Sequence, residues 1–391
     1  MKYITRTIWI LSFISLLTDM ASEMLYPIMP IYLKSIGFSI IIIGVLEGIA
    51  EAIAGLSKGY FGKLSDHTGK RVPFVQLGYA LSAISKPLMA LFILPLWVLF
   101  VRSMDRLGKG IRTGARDAIL SDEATPQTKG KVFGFHRSMD TLGAVIGPLL
   151  ALVYLAYCPE DYKTLFFIAF IPGLLSILAS MLLNDKSQPQ SQPQSKPNPS
   201  YFSFLNYWKS SPLIYRKVVI GLLVFTLLNS SDVFLLLKLK DSGLNDVQVI
   251  GTYIFYNLVY AAFAFPIGIL ADRIGLKKIF IIGLILFACV YFGMALTQSL
   301  PVFLVLFFVY GLYAAATEGI SKAWISNITD KKDIATAIGT YAGFQSICTM
   351  IASSLAGLIW YNFGAGATFM LTAISSVFVI GYFITLSKPS H

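Results

Sequence analysis

The chain has 391 residues, 56% of them hydrophobic and 13% charged, with a mean hydropathy of +0.70. A soluble domain carries about a quarter charged residues, so a water-soluble particle is excluded and lipid must be the main solvent. The net charge of +11 forms no basic stripe interleaved with aromatics, which argues against a nucleic-acid partner and for loop charge on a membrane protein.

Runs of about 20 mostly apolar residues are long enough to cross a bilayer. They predict helices over 8–33, 38–61, 73–93, 94–118, 130–157 and 163–183. A second set falls over 217–240, 245–270, 277–297, 301–327, 333–361 and 364–386. Lys2 and Arg6 precede an apolar stretch that outruns a signal peptide and lacks a small-residue cleavage site, so it is expected to remain as the first span. Pro27 and Pro30 fall inside that span and predict a bend. With an even number of spans, most loop cations collect on one side, among them Lys63, Lys70, Arg71, Lys129, Lys131, Lys277 and Lys278. Only Lys34, Lys163, Lys238 and Lys240 reach the other, which predicts both termini in the cytosol of a cell with an inner membrane.

Residues 184–213 separate the two sets, giving an expected division into 1–183, a cytosolic linker and 214–391. The segment 187–199 is polar and proline-rich, too poor in apolar groups to pack. After it, Tyr201, Phe202, Phe204, Tyr207 and Trp208 fit either a short helix at the headgroup level or more linker. Cys158, Cys289 and Cys348 stand far apart in apolar runs, and His67, His136 and His391 are scattered. No disulfide frame, metal site or cofactor is expected from them.

The halves repeat at one offset. Gly37, Gly62, Asp66 and Gly69 recur as Gly243, Gly268, Asp272 and Gly275, each 206 positions later by subtraction. Glycines there would allow tight turns and close helix contact, and the aspartates could accept from a helix N-terminus and from neighbouring basic groups. The segment Gly62–Arg71 resembles the signature between the second and third helices of the major facilitator superfamily, and Gly268–Lys278, with Arg273, resembles its second copy. The resemblance implies an all-α membrane protein of twelve transmembrane helices in two six-helix bundles related by pseudo-twofold symmetry, with these loops acting as gates.

Two further motifs carry the same resemblance. Arg102-Ser-Met-Asp105-Arg106-Leu-Gly108 is similar to a fourth-helix signature whose arginine is linked to proton coupling, although Asp105 and Arg106 replace the usual glutamine and glycine. Gly143-Ala-Val-Ile-Gly147-Pro148 is similar to an antiporter motif of the fifth helix, with Ala151 and Leu152 where that motif has a glycine pair. Segments 18–27, 105–117 and 134–140 resemble a widespread prokaryotic branch labelled efflux permeases, which implies a mechanism but names no substrate.

An ionisable side chain in mid-bilayer costs roughly 2.5–3.5 kcal/mol on insertion scales. Asp19, Glu23, Glu47, Glu51, Lys58, Lys86, Arg102, Asp105, Arg106, Lys109, Arg137 and Asp140 all fall within or near first-half spans. They are expected to face one another or water. Asp19 and Glu23 are one turn apart, as are Glu47 and Glu51, and Arg102 and Arg106. At 1.5 Å per residue Glu23 and Arg106 sit at about 22 and 18 Å depth from opposite sides, so helix-1 carboxylates are expected to meet helix-4 guanidiniums near the midplane. Either a proton-coupled site or a permanent ion-pair network fits this spacing. The second half is sparser, with Asp232 and an i, i+4 pair Glu318–Lys322; Arg112 and Arg116 map onto that pair by the same offset. Asn229, Asn257 and Gln345 suit substrate contacts or helix–helix hydrogen bonds.

The expected function is a monomeric secondary transporter, not an enzyme, with no catalytic residues. It would move a small charged or zwitterionic organic solute by alternating access, in proton-coupled efflux. An uptake symporter is the nearest rival. A non-transporting receptor or scaffold would not need the intramembrane charges.

Overall fold

In a computed structural model the chain is described over residues 4–26, 28–185, 200–229 and 232–386. The proline-rich stretch 187–199, Lys2, Pro27 and His391 lie outside the described residues, as does the side chain of Glu47. Among the described residues the regular structure is entirely helical.

The helices run α1 (Arg6–Leu25), α2 (Met29–Ser35), α3 (Ile40–Thr68), α4 (Val72–Met89), α5 (Pro95–Asp122), α6 (Lys129–Tyr157) and α7 (Tyr162–Ser180). After a short α8 (Leu205–Ser210) come α9 (Leu213–Leu228), α10 (Asp232–Asp241), α11 (Asp246–Ile274), α12 (Leu276–Leu296), α13 (Leu300–Asn327) and α14 (Ile334–Thr385). Local chemistry sets many of the boundaries. Thr5, Ser39 and Asp161 cap α1, α3 and α7 through side-chain oxygens, and Asn245 with Gln248 forms a capping box on α11.

The repeat extends to whole helices. Ile40–Thr68 and Asp246–Ile274 have 29 residues each and begin 206 positions apart, behind capping residues Ser39 and Asn245 at the same offset. Gly37, Gly69, Gly243 and Gly275 all adopt positive φ, so the repeated turns require the missing Cβ. The first predicted span of each half is broken near one pseudo-equivalent place, α1 from α2 and α9 from α10. Pro30 falls in the first turn of α2, where its lost N–H costs nothing.

Among the described residues, eight helical segments are long and apolar enough to cross a membrane. Of these, 331–385 would run about 80 Å at 1.5 Å per residue, far beyond one crossing, and Gly364 at φ 82° interrupts its helical geometry. The helices α3, α4 and α5 fall outside the eight, and α3 and α5 carry most of the first-half charges. Outward-facing Leu96, Val305, Leu358 and Phe378 are strongly exposed, as side chains solvated by lipid should be.

The described chain packs as two compact units. The first holds 1–125, 139–211 and 329–346; the second holds 126–138, 212–328 and 347–391. In the first, α5 lies between α3 and α4. Gly78 and Gly108 each put backbone against the other where a Cβ would stand, and Gly110 does the same against α3 at Ala54. In the second, α13 lies between α11 and α12 in the pseudo-equivalent arrangement.

The aromatic segment after the linker does form a short helix, but several of its rings pack on protein. Phe204 is 2% exposed, seated where a side chain on Gly59 would be and in contact with the face of Gly343. Lys63 Nζ donates to the Ser203 carbonyl at 2.6 Å, Tyr201 stacks on Tyr60 at 4.9 Å, and Trp208 meets Phe344 edge-on at 5.9 Å. Glycines opposite Phe204 supply a slot deeper than a headgroup contact offers, so burial prevails.

Candidate functional site

The close approach of α5 to its neighbours brings the ionic side chains of the first unit to one place. A cavity of about 40 Å³ there has room for a few waters. Asp19, Glu23, Lys86, Arg102, Asp105, Arg106, Lys109 and Arg112 all line it. The first-helix carboxylates and the α5 guanidiniums therefore line one chamber.

The individual partners are more specific than depth could indicate. Lys86 of α4 binds Asp105 at 2.8 Å, both buried, and Arg106 pairs with Glu51 of α3 at 3.4 Å. Arg116 pairs with its neighbour Asp117 at 2.9 Å. Asp19 has Asp140 of α6 beside it, with Lys109 and Glu23 as further charged neighbours. Asp140 in turn accepts a hydrogen bond from Ser15 of α1.

Gly143 and Gly147 are what let α6 come this close. A Cβ on either would collide with the α1 backbone at Leu16 or Met20. Pro148 follows inside α6. The antiporter-like motif thus forms the seam that holds Asp140 against the helix bearing Asp19 and Glu23.

In the second unit the charges are fewer and aromatic rings more frequent. Arg137 binds Glu318 at 3.1 Å and donates from Nε to the Tyr260 hydroxyl at 2.5 Å. Glu318 is thereby engaged across helices, while Lys322 lies one turn further along α13. Asp232, at the start of α10, accepts from Tyr310 at 2.6 Å. Asn229 bridges Tyr291 and Tyr313 at 3.2 and 3.4 Å, and Asn257 donates to the carbonyl of Tyr253 on its own helix. Asn229 thus links helices as expected, whereas the Asn257 bond stays within α11.

The predicted gate residues make two matched contacts at helix starts. Asp66 accepts from the Thr336 amide at 2.6 Å and hydroxyl at 2.8 Å, at the first turn of α14. Asp272 accepts from the amides of Gly130 and Lys131 at 2.7 and 2.8 Å, at the first turn of α6. Gly62 and Gly268 lie directly against carbonyls of Ala335 and Gly130 respectively, with no space for a side chain. Arg71 pairs with Asp66 at 3.5 Å and also with Asp122. Its counterpart at the 206 offset is Lys277, which donates to the carbonyls of Ile384 and Leu386, whereas Arg273 is exposed. Asp66 lies beyond the predicted span 38–61, and burial pushes its carboxyl up to about 7 despite Arg71 and the Thr336 donors.

Lys86, Lys109 and Arg112 join the predicted site residues in lining the chamber. A helical stripe at positions 102, 106, 109 and 112, in steps of four and three, was the signal for the last two.

Comparison with known proteins agrees with this architecture. The chain is 33% identical over 365 residues to an uncharacterized MFS-type transporter of Methanocaldococcus jannaschii, covering 92% of this chain and 89% of that one. It is 22% identical to the multi-drug resistance efflux pump PmrA homolog of Lactococcus lactis, covering 94% and 91%. The crystal structure of FucP, a major facilitator transporter in the outward conformation, superposes with a TM-score of 0.79 at 13% identity, covering 99% of this chain and 100% of that one. The Major Facilitator Superfamily model matches residues 11–254 and 239–391. With its repeated glycine–aspartate contacts and apolar helices, this multi-pass membrane protein belongs to the major facilitator superfamily of transporters.

Proposed function

We propose that the protein is a twelve-span alternating-access carrier of the cytoplasmic membrane, built from six-helix halves 1–183 and 214–391 with both termini cytosolic. It exports a small charged organic solute in exchange for protons. The observation that carries this reading is the water-sized chamber lined by acidic and basic side chains of α1, α4 and α5. A purely structural ion-pair network would gain nothing from such a void, because leaving ionised groups beside it forgoes close packing.

Protons enter through the carboxyls of Asp19, Glu23 and Asp140. Two of these, Asp19 and Asp140, stand side by side and would carry the exchanged proton. Its loss changes the attraction toward Lys109 and biases the equilibrium between inward- and outward-open states. The Asp66 and Asp272 latches hold one of these states closed. Efflux is favoured by the Gly143–Gly147 seam and by the relative named an efflux pump.

The test is substrate-driven proton flux in proteoliposomes of purified protein. Glu23→Gln and Asp19→Asn should each reduce the flux at least tenfold; coupling undiminished in both would sink the proton role.

A further inference from the structure

Several cations of the first unit have a carboxylate at hand. Lys86 has Asp105, Arg106 has Glu51, and Arg116 has Asp117. Arg112 does not. It is 4% exposed and lines the chamber, yet its contacts are neutral. Nη1 donates to the Ser82 hydroxyl at 2.8 Å, and the guanidinium carbon lies 4.6 Å from the centre of the Tyr79 ring. Its buried Nε has no hydrogen-bond partner. Among the described residues no carboxylate comes within 4.0 Å of Arg112 or of Lys109.

Lys109 stands three residues earlier on α5, so the two cations project on one face of the helix, one turn apart. A buried guanidinium with an unmet donor and no counter-ion is costly, and such a cost persists where a ligand repays it. The planar fork of Arg112 suits two oxygens of one anionic group, and the hydroxyl and ring beside it fix its orientation. The chamber volume of about 40 Å³ admits a head the size of a carboxylate or phosphate.

We infer that the transported solute is an organic anion whose carboxylate or phosphate head enters this chamber and binds Arg112, with Lys109 as the second cation. The inference rests on the carrier reading above and narrows its substrate. Arg112 and Lys109 are then binding residues, while Ser82 and Tyr79 position the guanidinium.

The test uses the full-length protein purified in detergent, with citrate, succinate and glycerol 3-phosphate as probes and choline and a neutral sugar as controls. Calorimetric titration at neutral pH should show binding of at least one anion and neither control. Arg112→Gln should weaken that binding tenfold or more, Arg112→Lys less, and Lys109→Gln several-fold. Because Lys109 is exposed, its variant reports even if Arg112→Gln fails to fold. Weakening in Lys109→Gln and Arg112→Lys together supports the assignment, as does an increase in the loss when Ser82→Ala is added to Arg112→Lys.

Binding of choline or the sugar without any anion overturns it, as does anion affinity unchanged in the Arg112 and Lys109 variants. The two readings fail separately. Proton-driven transport of a cationic or neutral solute alone would overturn the anion inference and leave the carrier standing. Anion binding at Arg112 with no proton-coupled transport of any probe in proteoliposomes would remove the carrier reading, and with it the assignment of the bound anion as cargo, while leaving the binding site.

Discussion

The carboxylate of Asp66 terminates the first turn of α14 by accepting from the amide of Thr336 at 2.6 Å. The pseudo-equivalent Asp272 does the same to α6 at Gly130 and Lys131. A carboxylate at a helix N-terminus satisfies donors that the helix itself cannot, and it meets the positive end of the macrodipole. Asp66→Ala strands the Thr336 amide and removes a partner of Arg71. It should cost about 1–3 kcal/mol of latch stability and raise thiol-reagent labelling of a Thr336→Cys reporter. Unchanged labelling would show that the contact does not hold the segment closed.

The Asp66 latch should also respond to pH. Its carboxyl is held near 7 when buried, whereas a solvated aspartate titrates near 3.9. Between those values the released form sheds its proton first. The latched form therefore loses relative stability as pH rises from about 4 to about 7 and changes no further above that. The thermal midpoint of the wild type should fall over that interval relative to Asp66→Asn, which carries no titrating group. Parallel profiles for the two proteins would remove Asp66 as the sensor.

Adding one carbon at the close crossings should be severe. Gly62→Ala places a methyl group on the Ala335 carbonyl, and Gly268→Ala places one on Gly130. Neither obstacle is a flexible side chain, so backbones must separate, at about 1–3 kcal/mol each. Both variants should show lower thermal midpoints and slowed transport. Gly251→Ala, with nothing near its would-be Cβ, is the control and should behave as wild type.

The buried Lys86–Asp105 pair should show strong non-additivity. Lys86→Met leaves Asp105 without its closest cation, and breaking one partner of a buried pair costs about 3–5 kcal/mol. Lys86→Met with Asp105→Leu removes both charges and should regain most of that loss. Thermal unfolding of the three variants measures the coupling. A double variant as unstable as the single one would mean that Asp105 is held by other groups.

Phe204 acts as a wedge between α3 and α14, filling space left by Gly59 and touching Gly343. Phe204→Ala should lose about 3–5 kcal/mol of packing if the slot stays open, as large-to-small core changes do. Hydrogen exchange over 329–346 should then accelerate, and unchanged exchange there would deny the wedge any part in ordering that segment.

The amino-acid sequence alone was sufficient for the features that depend on local spacing. Apolar run lengths marked membrane helices, although α3 and α5 blurred the pattern by carrying charge inward. The 206-residue offset predicted the repeated turns, and the positive φ at Gly37, Gly69, Gly243 and Gly275 follows from the same short-range sterics. Burial cost implied that Asp19, Glu23, Arg102 and Arg106 would gather around a common space.

Partner choice was decided only in three dimensions. That Arg106 meets Glu51, Arg137 meets Glu318 and Arg112 meets no carboxylate among the described residues depends on ångström distances between helices far apart in the chain. Those distances are set by which glycines let backbones touch and by how each helix is rotated. A linear spacing rule places a charge on a helix face, but electrostatic energy falls with separation, and separation is a property of packing.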